Sequence, residues 1–88
     1  MGYKLIIPEH LDRLFYKISR KDKLQFEIIS RKINEILENP YRFKPLTGNM
    51  SGQRRTHIRN FVLTFEICEN EKAVRLLDYD HHDCVYEN

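Results

Sequence analysis

Two apolar stripes with helical spacing, separated by a short polar break, constrain the fold of this chain more than any other feature. The first stripe comprises Leu11, Leu14, Phe15 and Ile18, and the second comprises Phe26, Ile29, Ile33, Ile36 and Leu37. Residues that recur at intervals of three and four share one face of an α-helix. The break at residues 19–22 is short enough for the two helices to form an antiparallel pair. Such a pair must bury both stripes against a second layer.

The remaining segments predict that this second layer is a β-sheet. Residues 3–7 are short, apolar and β-prone, which predicts a first strand. Residues 40–52 contain two prolines and two glycines and are predicted to form a loop. Three further strands are predicted at residues 53–59, 61–68 and 73–79. The expected fold is α+β, with the order β-α-α-β-β-β, a mostly antiparallel curved sheet and the helix hairpin packed on one face. Residues 1–88 are expected to form a single domain.

Composition excludes several classes of protein. No apolar run approaches the roughly 20 residues that a membrane helix needs. The first residues lack the apolar core of a signal peptide. Cys68 and Cys84 are too few for a disulfide framework and lack zinc-finger spacing. A soluble, cytoplasmic protein with free thiols is therefore expected.

Charge is distributed unevenly along the chain. The net charge is only +2, but residues 39–65 contain no Asp or Glu. Their basic side chains are Arg42, Lys44, Arg54, Arg55, His57 and Arg59. From Glu66 onward the sequence is mainly acidic. Pairing of the two segments as neighbouring strands would explain part of this asymmetry, but not the clustering of the arginines, which predicts a basic face.

The end of the chain carries groups that suit proton transfer. Residues 80–86 include two imidazoles, two carboxylates and one phenol. Together with a positive surface that holds phosphate, such groups are what cleavage of a phosphodiester requires, so the sequence indicates a small RNase. A metal site at residues 80–84 is disfavoured, because neighbours in sequence rarely converge on one ion without a distant partner. Cys84 as a nucleophile is less favoured still. We expect neither a metal nor another cofactor.

Four segments, taken in order, carry a family resemblance. Residues 46–52 (Leu-Thr-Gly-x-x-Ser-Gly) resemble an "L-x-G…S-G" approach to a strand, and residues 55–58 (Arg-Thr-His-Ile) an "R-x-R-I" strand. Residues 61–67 are similar to "Y-R-L-I-Y-E-I", and residues 80–86 to a closing "H-R-x-x-V-Y". Each segment is a weak signal by itself, but their order and spacing cover nearly the whole chain. The chain thus resembles the RelE/ParE superfamily of toxins from toxin–antitoxin modules.

The resemblance implies a ribosome-dependent mRNA endonuclease, or mRNA interferase, that inhibits translation without a metal. It also implies a partner, an antitoxin protein wrapped over the sheet and helices. Two positions depart from the family pattern: Val62 replaces an arginine of the third strand, and His57 replaces the second basic residue of "R-x-R". The departures leave two possibilities, a variant active site or a weakened or lost one. The alternative is therefore a non-catalytic or ParE-like toxin that acts by binding a protein, either gyrase or only its antitoxin.

Four residues are the catalytic candidates. Arg55 is expected to bind the phosphate, because a guanidinium can donate two parallel hydrogen bonds to phosphate oxygens and stays charged. His57, two residues on and on the same face of a strand, could be a base or a phosphate ligand. His82 is the favoured acid or base, with Asp83 or Asp80 setting its tautomer. Tyr86 could stack on a base or donate a proton to the leaving group.

Further residues are expected to bind RNA rather than to take part in the chemistry. They are Lys44, Arg54, Arg59 and His81. His81 and His82 cannot both point into one site if the segment is extended, because adjacent side chains alternate. His81 could instead be a packed, hydrogen-bonded structural histidine. Arg54 is expected on the face opposite to that of Arg55, His57 and Arg59.

Overall fold

The fold was obtained as a computed structural model, in which residues 2–45 and 52–81 are described. These residues form two α-helices, α1 (Glu9–Lys21) and α2 (Lys23–Glu38). The strands are β1 (Lys4–Ile6), β2 (Lys44–Pro45), β3 (Gln53–Ile58), β4 (Phe61–Cys68) and β5 (Ala73–His81). Short 3₁₀ turns lie at Pro40–Arg42 and Glu69–Glu71. The predictions for His82, Asp83 and Tyr86 concern residues outside the described ranges.

The helix hairpin is tighter than the sequence predicts. The polar break is Asp22 alone, because Ser19, Arg20 and Lys21 still belong to the last turn of α1. Asp22 serves both helices: its N–H donates to the Ile18 carbonyl at 2.8 Å, and its side chain accepts from the Gln25 N–H at 3.1 Å. One residue therefore ends α1 and caps α2. Neither helix is long and apolar enough to cross a membrane.

The sheet confirms the predicted α+β class. Its strand order is β1-β5-β4-β3-β2, with β1 parallel to β5 and every other pair antiparallel. The edge strand β2 was not predicted, since its two residues lie in a segment rich in proline and glycine. Pro45 is compatible with this place, because an edge strand can leave one side of its backbone unpaired.

The core lies between the sheet and the two helices, as the apolar stripes predict. From the sheet, Leu63 and Phe65 of β4 and Leu76 of β5 are fully buried. They belong to one cluster with buried helix residues, which are Leu11, Phe15, Ile29, Ile33 and Ile36. The sheet face that carries Leu63 and Phe65 is therefore the helix-packed face, and the other is called the open face below.

A β-bulge in β5 decides which side chains reach the open face. Thr64 pairs with Asp78, but the next residue, Phe65, pairs with Leu76, which leaves Leu77 without a partner on β4. Strand side chains alternate, so one extra residue reverses the sides of everything that follows. As a result Tyr79, paired with Leu63, turns towards the helices and is buried. Asp80, paired with Val62, lies on the open face.

Candidate functional site

The open face presents two rows of side chains that run across the strands. In one row, His57 of β3 lies opposite Val62 of β4, which lies opposite Asp80 of β5. The second row, one step along the strands, comprises Lys44, Arg55, Thr64 and Asp78, from β2 to β5. Residues directly opposite each other point to the same side of a sheet, so both rows share one surface.

The basic half of this face lies on β2 and β3. Arg55 is partly exposed, whereas His57 and Lys44 are exposed. Directly opposite Arg55 and His57 on β4 stand Thr64 and Val62, which carry no charge. This placement brings together three of the residues selected from the sequence.

Simple pairing of basic and acidic strands explains the charge pattern elsewhere in the sheet. Glu66 of β4 lies opposite Arg75 of β5, and Arg75 Nη1 donates to Glu66 Oε2 at 2.7 Å. Such a cross-strand ion pair stabilises neighbouring strands. The acidic residue of β4 is thus satisfied by β5, on the opposite side from β3. On β4, the residues opposite Arg54 and Arg55 of β3 are Phe65 and Thr64, so this kind of cross-strand ion pair is not formed there.

The acidic half of the open face lies on β5. Asp78 and Asp80 are both exposed. The Asp78 carboxylate is 3.8 Å from His10 Nε2, in the first turn of α1. Neither aspartate is adjacent to the basic half, because β4 lies between. The surface is thus divided by charge, with the short side chains of Val62 and Thr64 in the middle.

Arg54 lies on the helix-packed face, as its position in the strand predicts. It is opposite the buried Phe65, and its Nη1 donates to the Phe43 carbonyl at 2.8 Å. Its guanidinium also lies over the ring of Tyr41, 5.1 Å from the ring centre. The structure does not bring Arg54 together with Arg55. The contacts show how Arg54 holds the 3₁₀ turn and β2 against the sheet.

Arg59 is also separated from the open face, contrary to the prediction that it shares a face with Arg55. The strand ends at Ile58, and Arg59 is in the following turn with a φ of 60°. Its Nη1 donates to Gln25 Oε1 at 3.0 Å, which places the guanidinium on the helix side. A left-handed residue ends the alternation of a strand, so the two-residue period could not be extended to this position.

His81 lies on the helix-packed face as well. It is opposite Phe61 and contacts that ring edge to face, with 5.5 Å between ring centres. Phe61 in turn stacks on Tyr79 at 4.8 Å. This placement separates His81 from Arg55 and His57. The expectation that His81 and His82 do not share a site is compatible with it, but His82 lies beyond the described residues.

Tyr79 and Gln25 form a buried polar pair beside this aromatic stack. Gln25 Nε2 donates to the Tyr79 hydroxyl at 2.7 Å, and both residues are buried. Burial raises the pKa of the Tyr79 phenol, while the hydrogen bond from Gln25 and the charge of Arg59 oppose this effect. The phenol therefore stays neutral and acts as a structural acceptor. This pair could not be predicted from the sequence, since no periodicity distinguishes Gln25 from an exposed glutamine.

The metal site considered at residues 80–84 lies mostly outside the described residues. Within residues 2–45 and 52–81, no three His, Cys, Asp or Glu residues are grouped so that they could hold an ion. The sequence-based alternative also used His82, Asp83 and Cys84, which lie outside these ranges.

Comparison with known proteins identifies two archaeal relatives. The chain is 49% identical over 85 residues to an uncharacterized protein of Methanosarcina mazei, covering 96% of this chain and 99% of the relative. It is 38% identical over 86 residues to a Methanocaldococcus jannaschii protein named "Putative toxin RelE4", covering 97% of this chain and 92% of that one. No protein-family model matches the chain.

Solved structures show the same fold at lower sequence identity. A YoeB/ParE toxin from Agrobacterium tumefaciens superimposes with a TM-score of 0.75 at 19% identity, over 90% of this chain and 98% of that one. The RelBE2 toxin–antitoxin complex of Mycobacterium tuberculosis contains a chain that superimposes with a TM-score of 0.71 at 18% identity, over 92% of each chain. At this identity the structures establish the fold, and the archaeal relative establishes the family. The chain belongs to the RelE/ParE superfamily, the toxins of toxin–antitoxin modules.

Proposed function

We propose that this toxin is a metal-independent endoribonuclease that cleaves mRNA at the ribosome and so inhibits translation. One observation carries the proposal: Arg55 and His57 project from β3 onto the open face, with Lys44 opposite Arg55. A guanidinium, an imidazole and an ammonium on one surface supply phosphate binding and a group that moves protons near neutral pH. The β4 residues opposite Arg55 and His57, Thr64 and Val62, add no negative charge that would repel a phosphate.

The proposed chemistry is attack of a 2′-hydroxyl on the adjacent phosphorus. The 2′-oxygen loses its proton to a base, the bond from phosphorus to the 5′-oxygen breaks, and an acid protonates that oxygen. The products are a 2′,3′-cyclic phosphate and a 5′-hydroxyl end. Arg55 stabilises the extra negative charge of the transition state, and His57 binds phosphate or transfers a proton. His82 as acid or base, Asp83 as its support and Tyr86 as a stacking or proton-donating group remain proposals from the sequence.

RNA is proposed to reach this site through general electrostatic attraction. Lys44 lies on the open face and is suited to contact phosphates directly. Arg54, Arg59 and His81 are held on the helix side, so contact with RNA at these positions would take place around the edge of the sheet. Their proposed contribution is to affinity rather than to the cleavage step.

A protein antitoxin is the proposed partner in the cell, where we expect both proteins in the cytoplasm. The M. tuberculosis neighbour is a toxin–antitoxin complex, which supports this proposal. Co-expression of the protein encoded beside this gene should restore growth that the toxin alone arrests. A neighbouring protein that neither restores growth nor co-purifies with the toxin would contradict the proposal.

The nuclease proposal is tested by mapping mRNA ends after expression of the toxin. Purified toxin is treated with a chelator or left untreated, the chelator is removed by dialysis, and each sample is incubated with the same mRNA in Mg²⁺ buffer, with and without translating ribosomes. We expect new 5′-hydroxyl ends only where ribosomes are present, and no effect of the chelator. Absence of growth arrest and of cleavage in every condition would overturn the proposal, and sensitivity to the chelator would overturn its mechanism.

A second candidate is a ParE-like or non-catalytic toxin that acts by binding a protein. Val62 favours it, because an apolar, fully buried residue stands at the centre of the open face, where the family resemblance calls for arginine. This candidate predicts induction of the DNA-damage response, or antitoxin binding alone, without new mRNA ends. The same expression experiment distinguishes the two candidates.

A further inference from the structure

The aspartates of β5 give the open face an acidic half that RNA binding alone does not explain. Asp80 is exposed and lies two strands away from His57, in the same row, with Val62 between them. Neighbouring strands are about 4.8 Å apart, so the Cα atoms of His57 and Asp80 are separated by about 10 Å. A carboxylate at this distance from a phosphate site repels phosphate and reduces affinity for RNA. The position of Asp80 therefore suits contact with a group of the substrate other than phosphate.

Asp78 and Asp80 differ in their surroundings, although they are two residues apart on one strand. The Asp78 carboxylate is near the imidazole of His10, at 3.8 Å. Among residues 2–45 and 52–81, no hydrogen bond or ion pair involves the Asp80 carboxylate. An ionised carboxylate is purely an acceptor, so it can receive a hydrogen bond and then a proton from a hydroxyl. The two carboxylates differ only in that Asp78 has the imidazole of His10 beside it and Asp80 has no such neighbour among the residues that the structure describes.

We infer that Asp80 is the general base of the cleavage reaction, an inference that rests on the nuclease activity proposed above. The phosphate is held on the β3 half by Arg55, and the ribose on its 5′ side lies towards β5, beside the exposed side chain of Asp80. The Asp80 carboxylate accepts the proton of the 2′-hydroxyl as its oxygen bonds to phosphorus. The bond between phosphorus and the 5′-oxygen breaks, and that oxygen takes a proton from a histidine of the site. Water returns the enzyme to its starting protonation by exchanging one proton at each group.

The division of charge across the face supports this arrangement. A surface that served only to attract RNA would be basic on both halves, since each phosphate contact adds affinity. Here phosphate is attracted by Lys44 and Arg55 and repelled by Asp80, which fixes the direction in which the ribose points. The bulge at Leu77 creates this geometry, because without it Asp80 would face the helices. If Asp80 is the base, His57 acts as the phosphate ligand or as the general acid.

The test compares Asp80→Asn with the matched control Asp78→Asn in the full-length toxin. Each variant is incubated with ribosomes that carry a short mRNA, and kcat and KM are measured for its cleavage. Binding is measured with the same mRNA carrying one 2′-deoxynucleotide at the cleavage site, which cannot react. Thermal unfolding of each variant identifies any loss of fold. Arg55→Ala is included as a variant that lacks the proposed phosphate ligand rather than the proposed base.

We expect Asp80→Asn to lower kcat by about 10²–10⁴-fold, the usual contribution of a general base. KM and binding of the deoxy-substituted mRNA should be unchanged or tighter, because a repelling charge has been removed. A substrate with sulfur in place of the 5′-oxygen has a better leaving group, which compensates for a missing acid but not for a missing base. Asp80→Asn should therefore remain slow on that substrate, and Asp78→Asn should cleave both substrates as the unaltered toxin does.

Three results would overturn the inference. Asp80→Asn could cleave at the unaltered rate, lose cleavage only in proportion to binding, or recover on the sulfur-containing substrate. In each of these cases the unaltered toxin still cleaves and Arg55→Ala is still defective, so the proposed nuclease survives and only the role of Asp80 is lost. Absence of cleavage by the unaltered toxin itself would overturn both proposals together.

Discussion

Two residues of β3 that are neighbours in sequence have different roles. Arg54 and Arg55 are adjacent arginines in the same basic segment. Arg54 turns to the helix side and binds the Phe43 carbonyl, while Arg55 turns to the open face opposite Thr64. Alternation along a strand therefore separates a structural arginine from a candidate catalytic one. Composition alone would have counted both as RNA-binding charge.

Arg55→Ala is expected to reduce mRNA cleavage by about 10²–10³-fold, the typical effect of removing a donor that stabilises transition-state charge. Arg55→Lys should recover part of this loss, because an ammonium keeps the charge but not the forked geometry. The measurement is the rate of appearance of 5′-hydroxyl ends on ribosome-bound mRNA. Arg31→Ala, which changes an exposed arginine of α2, is the matched control and should cleave normally. Equal rates for Arg55→Ala and the control would remove Arg55 from the site.

Elements of the fold depend on a few local interactions at their ends. The hairpin of α1 and α2 turns at one residue, because Asp22 satisfies groups of both helices. In the sheet, the bulge at Leu77 decides on which face of the sheet the last side chains of β5 lie. Both features are too local for hydrophobic periodicity to detect. Periodicity nevertheless predicted both helices and β3 to β5.

Asp22→Ala should lower the free energy of unfolding by about 1 kcal/mol, because the Gln25 N–H loses its cap. In a domain of this size that corresponds to a fall in Tm of about 4–8 °C. Thermal unfolding followed by circular dichroism measures the change. Glu27→Ala alters an exposed carboxylate of α2 beyond its first turn, so it is the control for loss of charge without loss of a cap. A Tm of Asp22→Ala equal to that of the control would show that the cap is unimportant.

Deletion of Leu77 should abolish cooperative folding. Without the bulge Tyr79 would face solvent and Asp78 and Asp80 would face the helices, so two carboxylates would enter an apolar layer. Leu77→Ala keeps the extra residue and should lose only the contacts of one half-buried side chain. Near-ultraviolet circular dichroism and thermal unfolding compare the two variants. A deletion variant that unfolds cooperatively at the temperature of the unaltered protein would disprove the role of the bulge.

At the scale of the whole molecule, one exposed carboxylate, that of Glu69, joins distant parts of the chain. Tyr3, just before β1, donates to Glu69 Oε2 at 3.0 Å, and Tyr41 of the first 3₁₀ turn donates to the same oxygen. Lys72 lies 3.9 Å from the other carboxylate oxygen. Hydrogen bonds from Tyr41 and Tyr3 lower the pKa of Glu69, and the bond to Glu69 raises the pKa of Tyr41 to about 12. One acidic residue thus links both ends of the helix hairpin to the turn after β4.

Stability should depend on pH through this cluster. The pKa of Glu69 is lower in the folded than in the unfolded protein, so its contribution is present above about pH 4.5 and is lost as the pH falls through the folded value. The pKa of Tyr41 is raised, so its contribution is lost as the pH rises from 10 towards 12. Urea unfolding at a series of pH values should show both losses, and Glu69→Gln should reduce the acid loss.

Glu71→Gln is the matched control for this prediction, because Glu71 is exposed in the same 3₁₀ turn. It should keep the full loss of stability in acid. Identical pH profiles for Glu69→Gln and the unaltered protein would contradict the assignment of the acid-sensitive step to this cluster.

The sequence by itself determined the class of fold and half of the candidate site. The helix stripes and alternating strands fixed two helices on a sheet, because burial of apolar side chains follows periods of 3.6 and 2 residues. The same alternation placed Arg55 and His57 on one face. Only the tertiary structure decided that Arg59 and His81 lie on the helix side and that Asp80 lies across from His57. Those positions depend on a left-handed turn residue and a one-residue bulge, and both are set by how strands pair rather than by the identity of the residues within them.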